Sequence, residues 1–72
     1  MARDICVTLG KRIRELRKAR GWRQLDLAEE ADISENYVAD IEFGRKAIGI
    51  RTLKAVANAL DLKIVDLMRG VE

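Results

Sequence analysis

The chain has 72 residues, 49% hydrophobic and 36% charged, with three aromatics (Trp22, Tyr37 and Phe43), no proline, no histidine, one cysteine and a net charge of +2. That length holds the core of one small domain. Without histidine or a second cysteine, neither a Cys/His zinc site nor a Ser-His or Cys-His catalytic pair can be assembled. Most familiar enzyme chemistry is thereby excluded, and the chain is expected to carry no metal, no cofactor and no small-molecule ligand. Lone Cys6 closes no internal disulfide, apolar runs stay far below the roughly 20 residues of a membrane span, and no apolar stretch surrounds Met1, Arg3 and Asp4. A cytoplasmic protein with no membrane contact is expected.

Apolar residues recur at helical spacing along the whole chain, predicting an all-α, compact five-helix fold with its core over about 8–69. Leu9, Ile13, Leu16 and Ala19 mark a first helix over 8–20, with Thr8 as N-cap and Gly21 as terminator. A short second helix over 24–31 carries Leu25, Ala28 and Ala31 on one stripe, with Leu27 beside it. Ser34 then caps a third helix over 35–42, with Ile33 and Val38 placed as a hydrophobic staple and Val38 and Ile41 pointing inward. A short basic loop over 44–49 leads to a fourth helix over 50–60, whose inner face is Leu53, Val56, Ala57 and Leu60. A last segment over 64–69 carries Ile64, Leu67 and Met68.

The turn between the second and third helices is short enough for a helix-turn-helix unit. Counting from Gln24, the close helix approach requires a small fifth residue, and Ala28 stands there. The ninth position requires tolerance of positive φ; Asp32 occupies it in place of the usual glycine, a mild departure. The tenth, fifteenth and eighteenth positions require apolar residues, and Ile33, Val38 and Ile41 supply them.

With these spacings in place, the run from Leu9 to Trp22, Gln24 with Leu27 and Ala28, Ile33-Ser34, and Tyr37 to Gly44 resemble the lambda-repressor/Cro family of XRE-type regulators from about Leu9 to Met68. In length and in Tyr37 to Glu42 the chain also resembles the controller proteins of restriction-modification systems. The resemblance implies a transcriptional regulator binding double-stranded DNA as a homodimer on a near-palindromic operator, with the third helix in the major groove. By family position, base contacts fall to Gln24, Ser34, Glu35, Asn36, Ala39 and Asp40. Asn pairs well with adenine, and Glu or Asp accepts from the cytosine amino group. Glu35 also suits an ordinary dipole-stabilising acid in a first helical turn. Phosphate contacts fall to Arg23, Tyr37, Arg45, Lys46 and Arg51, with Arg45 and Lys46 foremost, although Tyr37 equally suits the core edge. Arg12 and Lys18 are expected to be solvent-exposed, and Arg17 with Glu42 matches a structural ion pair between the first and third helices.

Charge runs in blocks: residues 3–23 carry a local balance of +6, residues 24–42 hold seven acids and no base, and Arg45, Lys46, Arg51 and Lys54 follow. Carboxylates repel phosphates, so Asp26, Glu29 and Glu30 are expected to face away from DNA, leaving Glu35 and Asp40 on the groove side. The same acidic run suits an alternative, an antitoxin-like or other protein-interaction module. Ile48, Ile50, Ile64, Val65, Met68 and Val71 form the expected dimer interface, with closure of the core as the alternative role of Ile64 and Met68.

Overall fold

The computed structural model describes residues 4–72. It contains five helices: α1 (Ile5–Ala19), α2 (Gln24–Ala31), α3 (Glu35–Glu42), α4 (Ile50–Ala59) and α5 (Ile64–Leu67). Among the described residues there is no strand, and no helix is long and apolar enough to cross a membrane. Met1 and Arg3, on which the expectation for the N-terminal segment rests, lie outside the described residues.

The α1 helix begins at Ile5 rather than near residue 8 because Asp4, not Thr8, caps it. Asp4 Oδ1 accepts from the Cys6 amide at 2.7 Å, placing a carboxylate at the positive end of the helix. The Thr8 hydroxyl instead donates to the Asp4 carbonyl at 3.4 Å. The chain leaves α1 through Gly21, and the Trp22 amide returns to the Arg17 carbonyl at 3.2 Å.

In α2 the inward stripe runs through Leu27, Ala28 and Ala31, while Leu25 is exposed, so the stripe is rotated from the expected one. Ala19, expected on the inner face of α1, is likewise exposed and Leu16 half-buried. Asp26 accepts from the Arg23 amide at 2.8 Å, satisfying a donor at the start of α2. The helix ends at Asp32, whose φ of 58° and ψ of 46° are left-handed, and the Ile33 amide closes onto the Ala28 carbonyl at 3.0 Å. Ser34 Oγ then accepts from the Tyr37 amide at 3.0 Å, so α3 starts immediately after a three-residue turn.

The last two helices are shorter than the apolar pattern suggests. The α4 helix ends at Ala59, and Asp61, at φ 57°, turns the chain where no glycine marked a stop. The α5 helix ends at Leu67 rather than at 69, because amide bonds from Arg69 to Asp66 and from Val71 to Met68 tighten the chain there. Arg12 bonds the carbonyls of Leu67 at 3.2 Å and Asp66 at 3.0 Å. That corrects the expectation of a solvated Arg12: it is half-buried and satisfies acceptors at the end of α5.

Every helix contributes to one core, which includes Leu9, Ile13, Leu27, Ala28, Val38, Ile41, Leu53, Val56, Ala57 and Leu67. The α3 helix packs between α1 and α2, and α2 also packs on α4. Two glycines set these approaches. At Gly10 a Cβ would overlap the backbone carbonyls of Ile41 and Glu42, so only glycine lets α1 lie this close to α3. At Gly44, φ is +69° and a Cβ would lie 2.7 Å from Val7 Cγ2.

Candidate nucleic-acid interface

One face of α3 is sealed and the other is open. Val38, Ile41 and Glu42 are buried, while Ser34, Glu35 and Asn36 are exposed and Ala39 and Asp40 half-buried. Residues 35, 36, 39 and 40 form an outward stripe at helical spacing. The stripe is short and polar, and Ala39 leaves room for a close approach. The Ser34 oxygen already serves as N-cap, leaving its hydroxyl proton for a ligand. Glu35 lies in the first turn of α3 and so also offsets the helix dipole. Tyr37 is half-buried against the core.

The back of α3 is anchored by a charged network. Arg17 Nε and Nη2 donate to the two carboxylate oxygens of Glu42 at 2.6 and 3.0 Å, and Arg17 Nη1 donates to the Trp22 carbonyl at 2.7 Å. The Glu42 side chain is wholly inaccessible. Gln24 Nε2 completes the network with a bond to Glu42 Oε1 at 3.2 Å. The amide expected to read bases from the start of α2 is therefore oriented by the end of α3. One of its N–H groups is committed inward, leaving the other and the amide oxygen for a ligand.

The rim cations are arranged differently from what their order suggests. Arg23 pairs with Asp26 at 2.9 Å, and this bond holds the Asp26 carboxyl below the ordinary carboxylate range. Arg45 and Lys46, the foremost phosphate candidates, both reach Asp40, at 2.9 and 3.3 Å. Bonds from Arg45 and then Lys46 likewise hold the Asp40 carboxyl below its ordinary range. Arg51, exposed in the first turn of α4, enters no ion pair among the described residues. Glu29 and Glu30 are exposed, whereas Asp26 is half-buried against Arg23.

Phe43 lies beside this face, and the sequence pattern did not single it out. This ring, 54% exposed, follows α3 directly, with the Arg45 guanidinium 4.9 Å and the Arg14 guanidinium 5.8 Å from its centroid. The available signal was an aromatic next to a helix-ending glycine and an arginine, Phe43-Gly44-Arg45.

The residues assigned to a dimer interface divide into two groups. Ile50 and Val65 are 72% and 69% exposed, while Ile48, Ile64, Met68 and Val71 are half-buried against the core. Ile48 and Met68 also line a groove of about 280 Å³ with Ile5, Cys6, Leu9, Ala47 and Leu53.

Comparison with known proteins agrees with this geometry. Residues 13–67 match the helix-turn-helix family. The chain is 42% identical over 64 residues to the HTH-type transcriptional regulator DdrOP3 of Deinococcus deserti, a match covering 89% of this chain and 50% of that protein. It is 45% identical over 58 residues to the immunity repressor protein of Bacillus phage phi105, covering 81% of this chain and 40% of that protein. The chain thus spans half or less of the length of these two relatives. The crystal structure of the restriction-modification controller protein C.AhdI from Aeromonas hydrophila superposes with a TM-score of 0.84 at 34% identity, covering 86% of this chain and 94% of that one. With a family match over most of its length and a three-residue turn between α2 and α3, the chain belongs to the helix-turn-helix family of the lambda-repressor/Cro, or XRE, type.

Proposed function

We propose that the chain is a sequence-specific, double-stranded-DNA-binding transcriptional regulator that acts as a homodimer on a near-palindromic operator, with α3 in the major groove. The carrying observation is the two-faced α3: its inner face is fixed by Val38, Ile41 and the Glu42–Arg17 pair, and its outer face presents Glu35, Asn36, Ala39 and Asp40. A reading helix must be rigid where it meets the protein and open where it meets bases. Asn36 and Gln24 have the donor and acceptor pair that adenine requires, and Glu35 and Asp40 are acceptors for cytosine. Arg23, Tyr37, Arg45, Lys46 and Arg51 serve the flanking phosphates.

One copy reaches too few base pairs for selective occupancy, and a two-fold pair doubles the contact without new chemistry. The exposure of Ile50 and Val65 on the two C-terminal helices supports such a pairing. The protein acts in the cytoplasm of a prokaryote or phage host. It regulates by occupying its operator, a reading supported by likeness to a phage protein named as a repressor. Likeness over nearly the full length of a controller protein supports a similar role here.

A second reading, an antitoxin-like interaction module, draws on Glu29 and Glu30, which stand exposed on α2. Site selection from a random duplex pool at moderate salt separates the two. A palindrome with half-site centres about one helical turn apart, roughly 34–36 Å, is expected. Recovery of no enriched motif refutes the regulator and directs the search to a protein partner.

A further inference from the structure

Asp40 stands between the two functions assigned to its neighbourhood. It lies on the outward stripe of α3, yet its two carboxylate oxygens are occupied by the cations that follow the helix: Oδ1 by Arg45 Nε at 2.9 Å and Oδ2 by Lys46 Nζ at 3.3 Å. The loop is held in place by its backbone as well, since the Arg45 amide donates to the Asp40 carbonyl at 2.8 Å. The Asp40 side chain is 23% exposed, whereas those of Arg45 and Lys46 are 57% and 63% exposed. A phosphate therefore reaches the cations from outside without displacing the backbone, but it must draw them from an anion already in place.

We infer that Asp40 is a specificity-determining residue that occupies Arg45 and Lys46 in the free protein and releases them to phosphate only where its carboxylate finds a base donor. The inference deepens the DNA-binding reading above and rests on it. On a random duplex the three groups carry a combined charge of +1, and a phosphate that takes both cations leaves a bare carboxylate beside it, which is repulsive. At a site presenting a cytosine amino group, the carboxylate accepts from N4 and the cations turn outward together. Base reading and phosphate grip are coupled through one side chain. Asp40 thereby depresses binding everywhere except at the matching base.

The test uses Asp40→Asn, which keeps shape and removes the charge, alone and combined with Arg45→Ala, on a random-sequence duplex and on the operator recovered by site selection. One carboxylate fewer is expected to steepen the log–log salt slope on random duplex by about 0.9 and to raise affinity there about eightfold at 0.1 M salt. Selection with the variant is expected to lose the preference for cytosine at one position in each half-site. Arg45→Ala is expected to weaken random-duplex binding more in the Asp40→Asn background than in the parent. Such non-additivity does not arise if Asp40 only holds the loop. Equal slopes and affinities for Asp40→Asn and the parent on random duplex, with a palindrome still selected, overturn the inference while leaving the regulator intact. Failure of the parent to select any motif overturns both.

Discussion

Replacing Glu42 by alanine removes the acceptor on which α1, α2 and α3 converge. Glu42 takes bonds from Arg17 at 2.6 and 3.0 Å and from Gln24 at 3.2 Å. After the change, the Arg17 guanidinium, on a side chain only 8% exposed, keeps the Trp22 carbonyl at 2.7 Å as its partner. A buried charge stranded in this way costs about 3–5 kcal/mol. A chain of this length has a total stability of about 4–11 kcal/mol on the usual per-residue scale, so the single substitution removes a large fraction of it and lowers Tm by at least about 12 °C. The pair itself need not stabilise the fold relative to apolar residues. Arg17→Met with Glu42→Leu removes both charges at similar volume and is expected to lie within about 2 kcal/mol of the parent. Urea unfolding of the parent, Arg17→Met, Glu42→Leu and the double variant gives the coupling, expected to exceed about 2 kcal/mol. A loss below about 1 kcal/mol for Glu42→Ala, or a double variant no more stable than either single one, refutes the account of Glu42 as a buried counter-ion.

Gly10→Ala is expected to destabilise by about 1–3 kcal/mol, read by thermal melting, because the new methyl group meets backbone carbonyls of α3 rather than a movable side chain. Asp32→Gly is expected to stabilise by about 1 kcal/mol by relieving the left-handed backbone at φ 58°; a destabilisation refutes that turn geometry. Asp26 has its folded-state pKa depressed mainly by Arg23, so its contribution is present above its unfolded value of about 4 and is lost as pH falls through the lower folded value. Unfolding measured from neutral pH downward is expected to show a shallower acid decline in Asp26→Asn than in the parent. For the DNA complex, neutralisation of about six to eight phosphates by a dimer gives a log–log salt slope of about −5 to −7, and Glu35→Gln is expected to tighten random-duplex binding. Unchanged random-duplex affinity would remove Glu35 from the interface.

The helix order is legible because the signals are local. Gly21, Ser34 and the αL-tolerant Asp32 punctuate the chain where the backbone turns, and Val38 and Ile41 recur at helical spacing on one face of α3. The start of α1 is not legible, because Asp4 and Thr8 are both competent caps and only the additional turn of Ile5, Cys6 and Val7 decides between them. The inward stripe of α2 departs from expectation at Leu25 because an eight-residue helix gives too few turns to fix its phase. Among site residues, the outward stripe of α3 follows from periodicity. The partners of Gln24, Arg12 and Asp40 do not, since each lies on another element or in the following loop and long side chains reach in directions that spacing does not encode.

The charge blocks acquire a physical meaning once the pairs are known. A basic segment, an acidic segment and a second basic segment suggest an anion-binding face spoiled by seven carboxylates. In the fold the blocks cancel across their boundaries: Arg17 meets Glu42, Arg23 meets Asp26, and Asp40 meets Arg45 and Lys46. Three of the seven acids are thereby spent on cations from the flanking blocks, and Glu29 and Glu30 stand exposed on α2. The cations without acidic partners among the described residues include Lys11, Lys18, Lys54 and Lys63 as well as Arg14 beside Phe43 and Arg51 in α4, while the two that follow α3 directly, Arg45 and Lys46, are held by Asp40. On the proposed DNA-binding reading, the two cations nearest the reading helix are therefore not free for phosphate by default. Under that proposal, discrimination between sequences is expected to draw on the cost of separating the Asp40 ion pairs, a cost recovered when a base edge replaces the lost partners.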